Sequence, residues 1–237
     1  MHRFANPTRF LRFSRTIAPY TGASAAAAIV IGLAWGLLVA PPDYQQGDSV
    51  RIMFVHVPAA WMGMMIYAFL AAAGAALLVW RHPLAAVAAK AAAPIGAAFT
   101  AICLITGSLW GKPMWGTWWV WDARLTSMLL LLFLYFGHMA LSSAFDDSER
   151  GARAAAILAL DGVINLVVIK FSVDWWYTLH QPASVLRLGG STIDISMLLP
   201  LLIMAAGYLL YFVTLLAWRI EAELAARKLE VASLADR

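Results

Sequence analysis

The chain has 237 residues, of which 62% are hydrophobic and 13% charged, with a net charge of +4 and a mean hydropathy of +0.76. Soluble domains average about 45–50% apolar and about 25% charged residues, so the composition excludes an ordinary soluble domain and points to a membrane protein. The arginines flank apolar segments and form no basic cluster of the kind a nucleic-acid binder carries.

A helix crossing about 30 Å of hydrocarbon needs about 20 mostly apolar residues. Six segments meet that requirement, at 20–40, 57–80, 91–110, 125–144, 154–173 and 194–217. The expected fold is therefore an all-α, polytopic membrane protein, one six-helix domain over 1–237, with a Trp-rich interfacial segment. The first span follows Arg3, Arg9, Arg12 and Arg15. Its apolar stretch exceeds a signal-peptide core of about 7–15 residues, so it reads as an uncleaved anchor.

With the N-terminus in the cytoplasm, the inner segments hold 12 of the 17 Lys and Arg residues, from Arg3 to Arg237. The outer ones hold Arg51, Lys112, Arg124, Lys170 and Arg187. The positive-inside rule then places both termini inside, which an even number of spans requires. Segments 41–56, 110–124 and 174–193 emerge together on the outer side. The tail from 219 to 237 reads as a charged, solvated extension of the last helix, with partner docking as the minor alternative. No internal repeat is visible, which argues against a transporter built from inverted halves.

Ahead of the second span stands "FVHVPAAWM". Pro58 suits the first helical position and disfavours helix at Val57, which puts His56 just outside the helix, at the outer mouth. Cys103 lies in an apolar run, and one cysteine allows no disulfide, CxxC pair or thiolate metal site within the chain. Then comes "WGTWWVWDARLT" at 115–126, four tryptophans in seven positions, with Trp110 just before it. An interfacial belt places one or two tryptophans per helix end, as Trp35, Trp61, Trp80 and Trp218 do, and does not account for this density. If 115–122 is helical, Trp115, Trp118, Trp119 and Asp122 share one face and form an aromatic shelf, with Asp122 capping the fourth span.

Asp161 and Asn165 form the main polar pair of the fifth span and read by default as helix–helix or subunit contacts. In the last outer segment, "WWYTLHQPAS" puts His180 before another proline. His56 and His180 thus flank the tryptophan segment on one side of the membrane. His2, His82 and His138 are placed elsewhere and read as solvated or structural. A flat aromatic platform, two imidazoles and the outer cations Lys112, Arg124, Arg51 and Arg187 suit haem, whose iron takes axial nitrogens and whose propionates take Arg or Lys. Zinc fits less well, because two histidines with no cysteine and no obvious carboxylate neighbour leave it short of ligands. A bis-His haem b electron-transfer subunit is the rival, although only the outer pair of histidines exists here. A scaffold that uses its tryptophans to bind a partner protein is a second rival.

Trp115, Gly116, Trp119, Trp121, Asp122, Arg124, Leu125 and Thr126 resemble the WWD signature of the haem-handling proteins of cytochrome c biogenesis. Six spans, one WWD segment and one histidine in each flanking outer loop look like the CcmC family, over nearly the whole chain. The resemblance implies that His56 and His180 are axial ligands of haem b at the periplasmic face of the bacterial inner membrane. It implies a haem-binding segment of Trp110, Trp115, Gly116, Trp118, Trp119, Trp121 and Asp122, and delivery to the haem chaperone CcmE. It also implies work beside the one-span subunit CcmD and the ATP-binding-cassette subunits CcmA and CcmB. No GxxxxGK[ST] sequence occurs here, so an ATPase activity is not expected of this chain.

Overall fold

In a computed structural model, the structure describes residues 7–182, 184–185, 187 and 189–235. His2, Arg3 and Arg237 lie outside the described residues. The elements are α1 (Pro7–Ala34), α2 (Met53–Trp80), α3 (Ala85–Trp115), α4 (Ala123–Ser143), α5 (Ser148–Asp161), α6 (Val163–Trp175) and α7 (Ile195–Ala235). A π-helical turn (Trp35–Val39) continues α1, and a 3-10 turn (Asp48–Ile52) leads into α2. Among the described residues, six helical segments are long and apolar enough to cross a membrane, at Pro7–Val39, Asp48–Trp80, Ala85–Trp115, Ala123–Ser143, Ser148–Trp175 and Ile195–Leu229. The chain is an all-α, multi-pass membrane protein, and each span is longer than its apolar run alone indicates.

Lipid supplies no hydrophobic drive between helices, so they associate by close packing and interhelical hydrogen bonds. Small residues make the room. The Tyr135 ring on α4 occupies the space a side chain at Gly96 on α3 would fill, and the Tyr135 hydroxyl donates to the Gly63 carbonyl at 2.7 Å. Tyr67, Ile66, Leu70, Leu131 and Tyr135 are buried in one core built from α2, α3, α4 and the α5–α6 pair. α1 packs along α7, where the Thr21 and Thr214 hydroxyls meet at 2.7 Å.

The first turns of α1 and the C-terminal part of α7 lie at one end of the bundle. Arg15 pairs with Glu221, Lys90 pairs with Glu223 at 2.8 Å, and Arg219 donates to the Ala91 carbonyl. The start of the charged tail is therefore pinned against α1 and α3, which corrects the reading of 219–237 as merely solvated. Segments 41–52, 116–122 and 176–194 share the opposite end.

Three local expectations need correction. α2 begins at Met53, so His56 lies inside its first turns and Pro58 is an interior residue. Pro58 has no N–H to give the helix, but burial of Met53 and Phe54 against Ala40 and Leu201 holds the preceding turn. The fifth span is two helices rather than one, with a break at Gly162, against which the Tyr67 side chain lies while its hydroxyl donates to the Leu158 carbonyl. Finally, residues 116–122 are not helical, so the single-face shelf of Trp115, Trp118, Trp119 and Asp122 does not form.

Candidate functional site

At the end of the bundle away from the termini, α2, α3, α4, α6 and the segment after α6 enclose a cavity of about 280 Å³. That volume lies near the lower end of the small-molecule range of about 300–1,000 Å³. His56, Trp110, Trp115, Trp119, Arg124 and His180 all line it. The two histidines, 124 positions apart by their numbers, thus come to one space.

The tryptophan segment owes its shape to a glycine. Gly116 takes φ +75°, a left-handed conformation, and its N–H bonds the Lys112 carbonyl to close α3. The chain folds back so that the Trp115 ring and the Thr117 carbonyl press on Gly111, where a Cβ would lie 3.1 and 3.2 Å from them. This corner separates the tryptophans. Trp110, Trp115 and Trp119 face the cavity, whereas Trp118 and Trp121 are 54% and 75% exposed. Trp119 packs edge-on to Trp121 and forms a wall between the cavity and a second hollow lined by Leu104, Ile105, Ser108 and Trp121. Trp110 donates its indole N–H to Gln46 Oε1 at 3.0 Å, which ties α3 to the first loop at this end.

His56 is held by α3. Its Nδ1 lies 3.0 Å from the Cys103 carbonyl oxygen and 3.1 Å from Thr106 Oγ1. The Thr106 hydroxyl itself donates to the Ile102 carbonyl. An Nδ1–H donated to Cys103 leaves Nε2 with its lone pair. The ring also rests on Gly107, where a Cβ would come 3.0 Å from His56 Cε1, and stands edge-on to Trp110. His180 stands edge-on to Trp115 with ring centres 5.0 Å apart, and its Nδ1 lies 3.7 Å from Asp122 Oδ2.

Asp122 caps α4 as expected, its Oδ1 accepting the Leu125 N–H at 2.8 Å. Burial opposes ionisation of this carboxyl, but His180 and the Leu125 N–H outweigh it and hold its pKa below the usual carboxylate value. Among the described residues, four buried side-chain nitrogen or oxygen atoms lack a hydrogen-bond partner, and three are Trp119 Nε1, Asp122 Oδ2 and His180 Nδ1. Buried polar groups are normally satisfied, and two of these three belong to cavity-lining residues, Trp119 and His180.

Of the four outer cations, Arg124 lines the cavity. It donates to Ser172 Oγ at 3.0 Å and to the Ile169 and Lys170 carbonyls, which fixes α4 against α6. Lys112 donates to the Gly116 carbonyl and lies over Trp118. Arg51 pairs with Asp48 and donates to the Gly36 and Leu37 carbonyls. Arg187 is exposed. His82 hydrogen-bonds the Leu84 N–H in the loop at the opposite end, and His138 is buried within α4. Asn165 donates to the Ser127 carbonyl at 2.9 Å, a helix–helix contact as expected, whereas Asp161 is exposed.

Cys103, Thr106 and Gly107 were not legible as site residues, because a backbone acceptor and a missing side chain carry no motif. Their spacing from Trp110 on one helix was the available signal.

A family model for CcmC, described as heme exporter protein C, matches residues 1–235. The heme exporter protein C of Bradyrhizobium diazoefficiens is 61% identical over 211 residues, covering 89% of this chain and 80% of the relative. That of Escherichia coli is 49% identical over 219 residues, covering 92% and 88%. A putative ccmC-like mitochondrial protein of cytochrome c biosynthesis from Marchantia polymorpha is 48% identical over 197 residues, covering 79% and 82%. With a family model spanning nearly its whole length and relatives this similar, the chain belongs to the CcmC, heme exporter protein C, family.

Proposed function

We propose that this protein binds haem b at the periplasmic face of the bacterial inner membrane and hands it to the haem chaperone CcmE during cytochrome c maturation. The observation that carries the reading is the convergence of His56 and His180 on one aromatic-lined cavity. Two imidazoles from different elements, His56 with its Nδ1 engaged, can offer Nε2 to one iron without any covalent bond to the porphyrin. Trp110, Trp115 and Trp119 give the macrocycle aromatic surface at the cavity. Arg124 is the cation placed to meet a propionate, because it lines the cavity and Lys112, Arg51 and Arg187 do not.

Bound haem supplies a ferric or ferrous iron with two axial positions; the protein's own work is to orient the ring and to let it leave. The exposed Trp118 and Trp121 lie on the outward side of the same segment, where a periplasmic partner reaches them. Both termini are cytoplasmic in this reading, consistent with the charge asymmetry. The small subunit CcmD and the transporter subunits CcmA and CcmB are its proposed membrane partners, and the ATPase activity belongs to them. The chain itself is a haem-handling subunit rather than an enzyme.

The deciding experiment is the absorption spectrum of the purified protein beside its His56→Ala and His180→Ala variants. Each variant is expected to lose most of the Soret absorbance per protein, while His82→Ala retains it. Full haem content in the His56→Ala, His180→Ala double variant would refute the reading.

A further inference from the structure

The two histidines are held in chemically different ways. His56 Nδ1 faces a neutral backbone carbonyl, that of Cys103, and a hydroxyl. His180 Nδ1 faces a carboxylate oxygen, Asp122 Oδ2. Only 6% of the Asp122 side chain is exposed, and both facing atoms are buried without a hydrogen-bond partner. At 3.7 Å the pair is too long for a hydrogen bond, and shortening by about 1 Å would bring it to charge-assisted length.

Thr178 also favours the ionised carboxylate, but Oδ2 itself accepts no hydrogen bond. Asp122 Oδ1 is taken by the Leu125 N–H. The neighbouring guanidinium of Arg124 directs its Nε and Nη2 donors to Ser172, Ile169 and Lys170. His180 is steadied from its own segment, its N–H bonding Thr178 Oγ1 at 2.9 Å, and from α3 by Trp115.

We infer that Asp122 is a positioning residue for His180: the His180 Nδ1–H donates to Asp122 Oδ2, which turns Nε2 to the cavity and makes His180 the stronger of the two nitrogen donors. A carboxylate on the far ring nitrogen raises the basicity of the ligating one and fixes the tautomer, more than a carbonyl does. The site is then asymmetric. His180 is the anchor, and His56, with its neutral partner, is the ligand that yields first when haem leaves. The same residue caps α4, so the start of that helix and the orientation of His180 are one structural unit. This inference rests on the haem-binding reading for its iron, but its core, the state of the His180 ring, belongs to the empty chain.

The test uses the full-length protein in detergent with ¹⁵N-labelled histidine, the His180 resonances being assigned by their loss in His180→Ala. In the haem-free wild type His180 is expected as the Nδ1–H tautomer. In Asp122→Asn the amide oxygen stays on the Leu125 N–H, since Asn caps as well as Asp. The amide NH₂ then stands where Oδ2 was and donates to Nδ1, so the tautomer inverts and haem dissociates at least about tenfold faster. Asp122→Ser keeps a capping oxygen but removes the anion. Its bound haem is expected to show a higher midpoint potential with both histidines still ligated.

Wild-type His180 in the Nε2–H form would overturn the inference, whether or not either variant folds. So would an Asp122→Asn protein with unchanged tautomer and haem dissociation, or a haem-loaded Asp122→Ser protein with unchanged potential. Failure of the haem reading is distinguishable: His180→Ala would then keep its haem, while the tautomer result stands on its own.

Discussion

His56 on α2 and Gly107 on α3 are in direct contact, with a Cβ at residue 107 falling 3.0 Å from His56 Cε1. The ring thus rests on that bare backbone beside the Cys103 carbonyl, one helical turn earlier, and the hydroxyl of the adjacent Thr106. A ligand side chain is useful only if its direction is fixed, and α3 fixes that of His56, the proposed ligand.

Gly107→Val should therefore act as a ligand mutation although residue 107 bears no donor. The added methyls force the imidazole off its acceptors. Haem content per protein, read from the Soret band, is expected to fall severalfold with helicity by circular dichroism unchanged. A Gly107→Val protein with wild-type haem content would show that the ring tolerates displacement.

Gly116→Ala separates backbone strain from packing. A Cβ there meets nothing within 4 Å, so the cost is the left-handed conformation alone, about 1–2 kcal/mol. The expected thermal midpoint is lower by a few degrees. Gly111→Val should be worse, because its Cβ meets the Trp115 ring and the Thr117 carbonyl and the corner of the tryptophan segment cannot close.

Trp119→Ala and Trp121→Ala should part company. Trp119 lines the cavity and Trp121 is 75% exposed, so the first is expected to lower haem retention. The second is expected to keep haem but slow its transfer to purified CcmE. Equal loss of retention in both would mean that the edge-on contact of the two rings, rather than their separate faces, shapes the site.

Asn165→Leu removes the donor to the Ser127 carbonyl between α6 and α4. Interhelical hydrogen bonds in membranes are worth about 0.6 kcal/mol on average and about 1.7 at most. A loss within that range in reversible unfolding from detergent is expected, with Arg124 still bridging the same helices.

Six apolar runs, a charge asymmetry and one dense aromatic stretch sufficed to read the class of fold, the number of spans, and the residues that gather at one end. These are properties of composition along the chain: hydrocarbon thickness sets run length, and no tertiary contact alters it. The Asp122 cap was legible for the same reason, since an N-cap is a local arrangement within one turn.

What tertiary packing decided is where those side chains point. Pro58 alone reads as the first residue of a helix, yet burial of Met53 and Phe54 starts α2 ahead of it and places His56 inside the helix. Helical periodicity would have put Trp115, Trp118 and Trp119 on one face, yet Gly116 turns the chain and sends Trp118 outward. The partners of the two histidines, Cys103 for one and Asp122 for the other, are set by helix–helix and loop–helix contact between residues distant in sequence. Such contacts follow from the shapes of neighbouring elements, which no single segment encodes. The sequence by itself determined that two imidazoles and a tryptophan cluster would share one end of the helix bundle. Only the tertiary structure gave one imidazole a neutral partner and the other an anionic one.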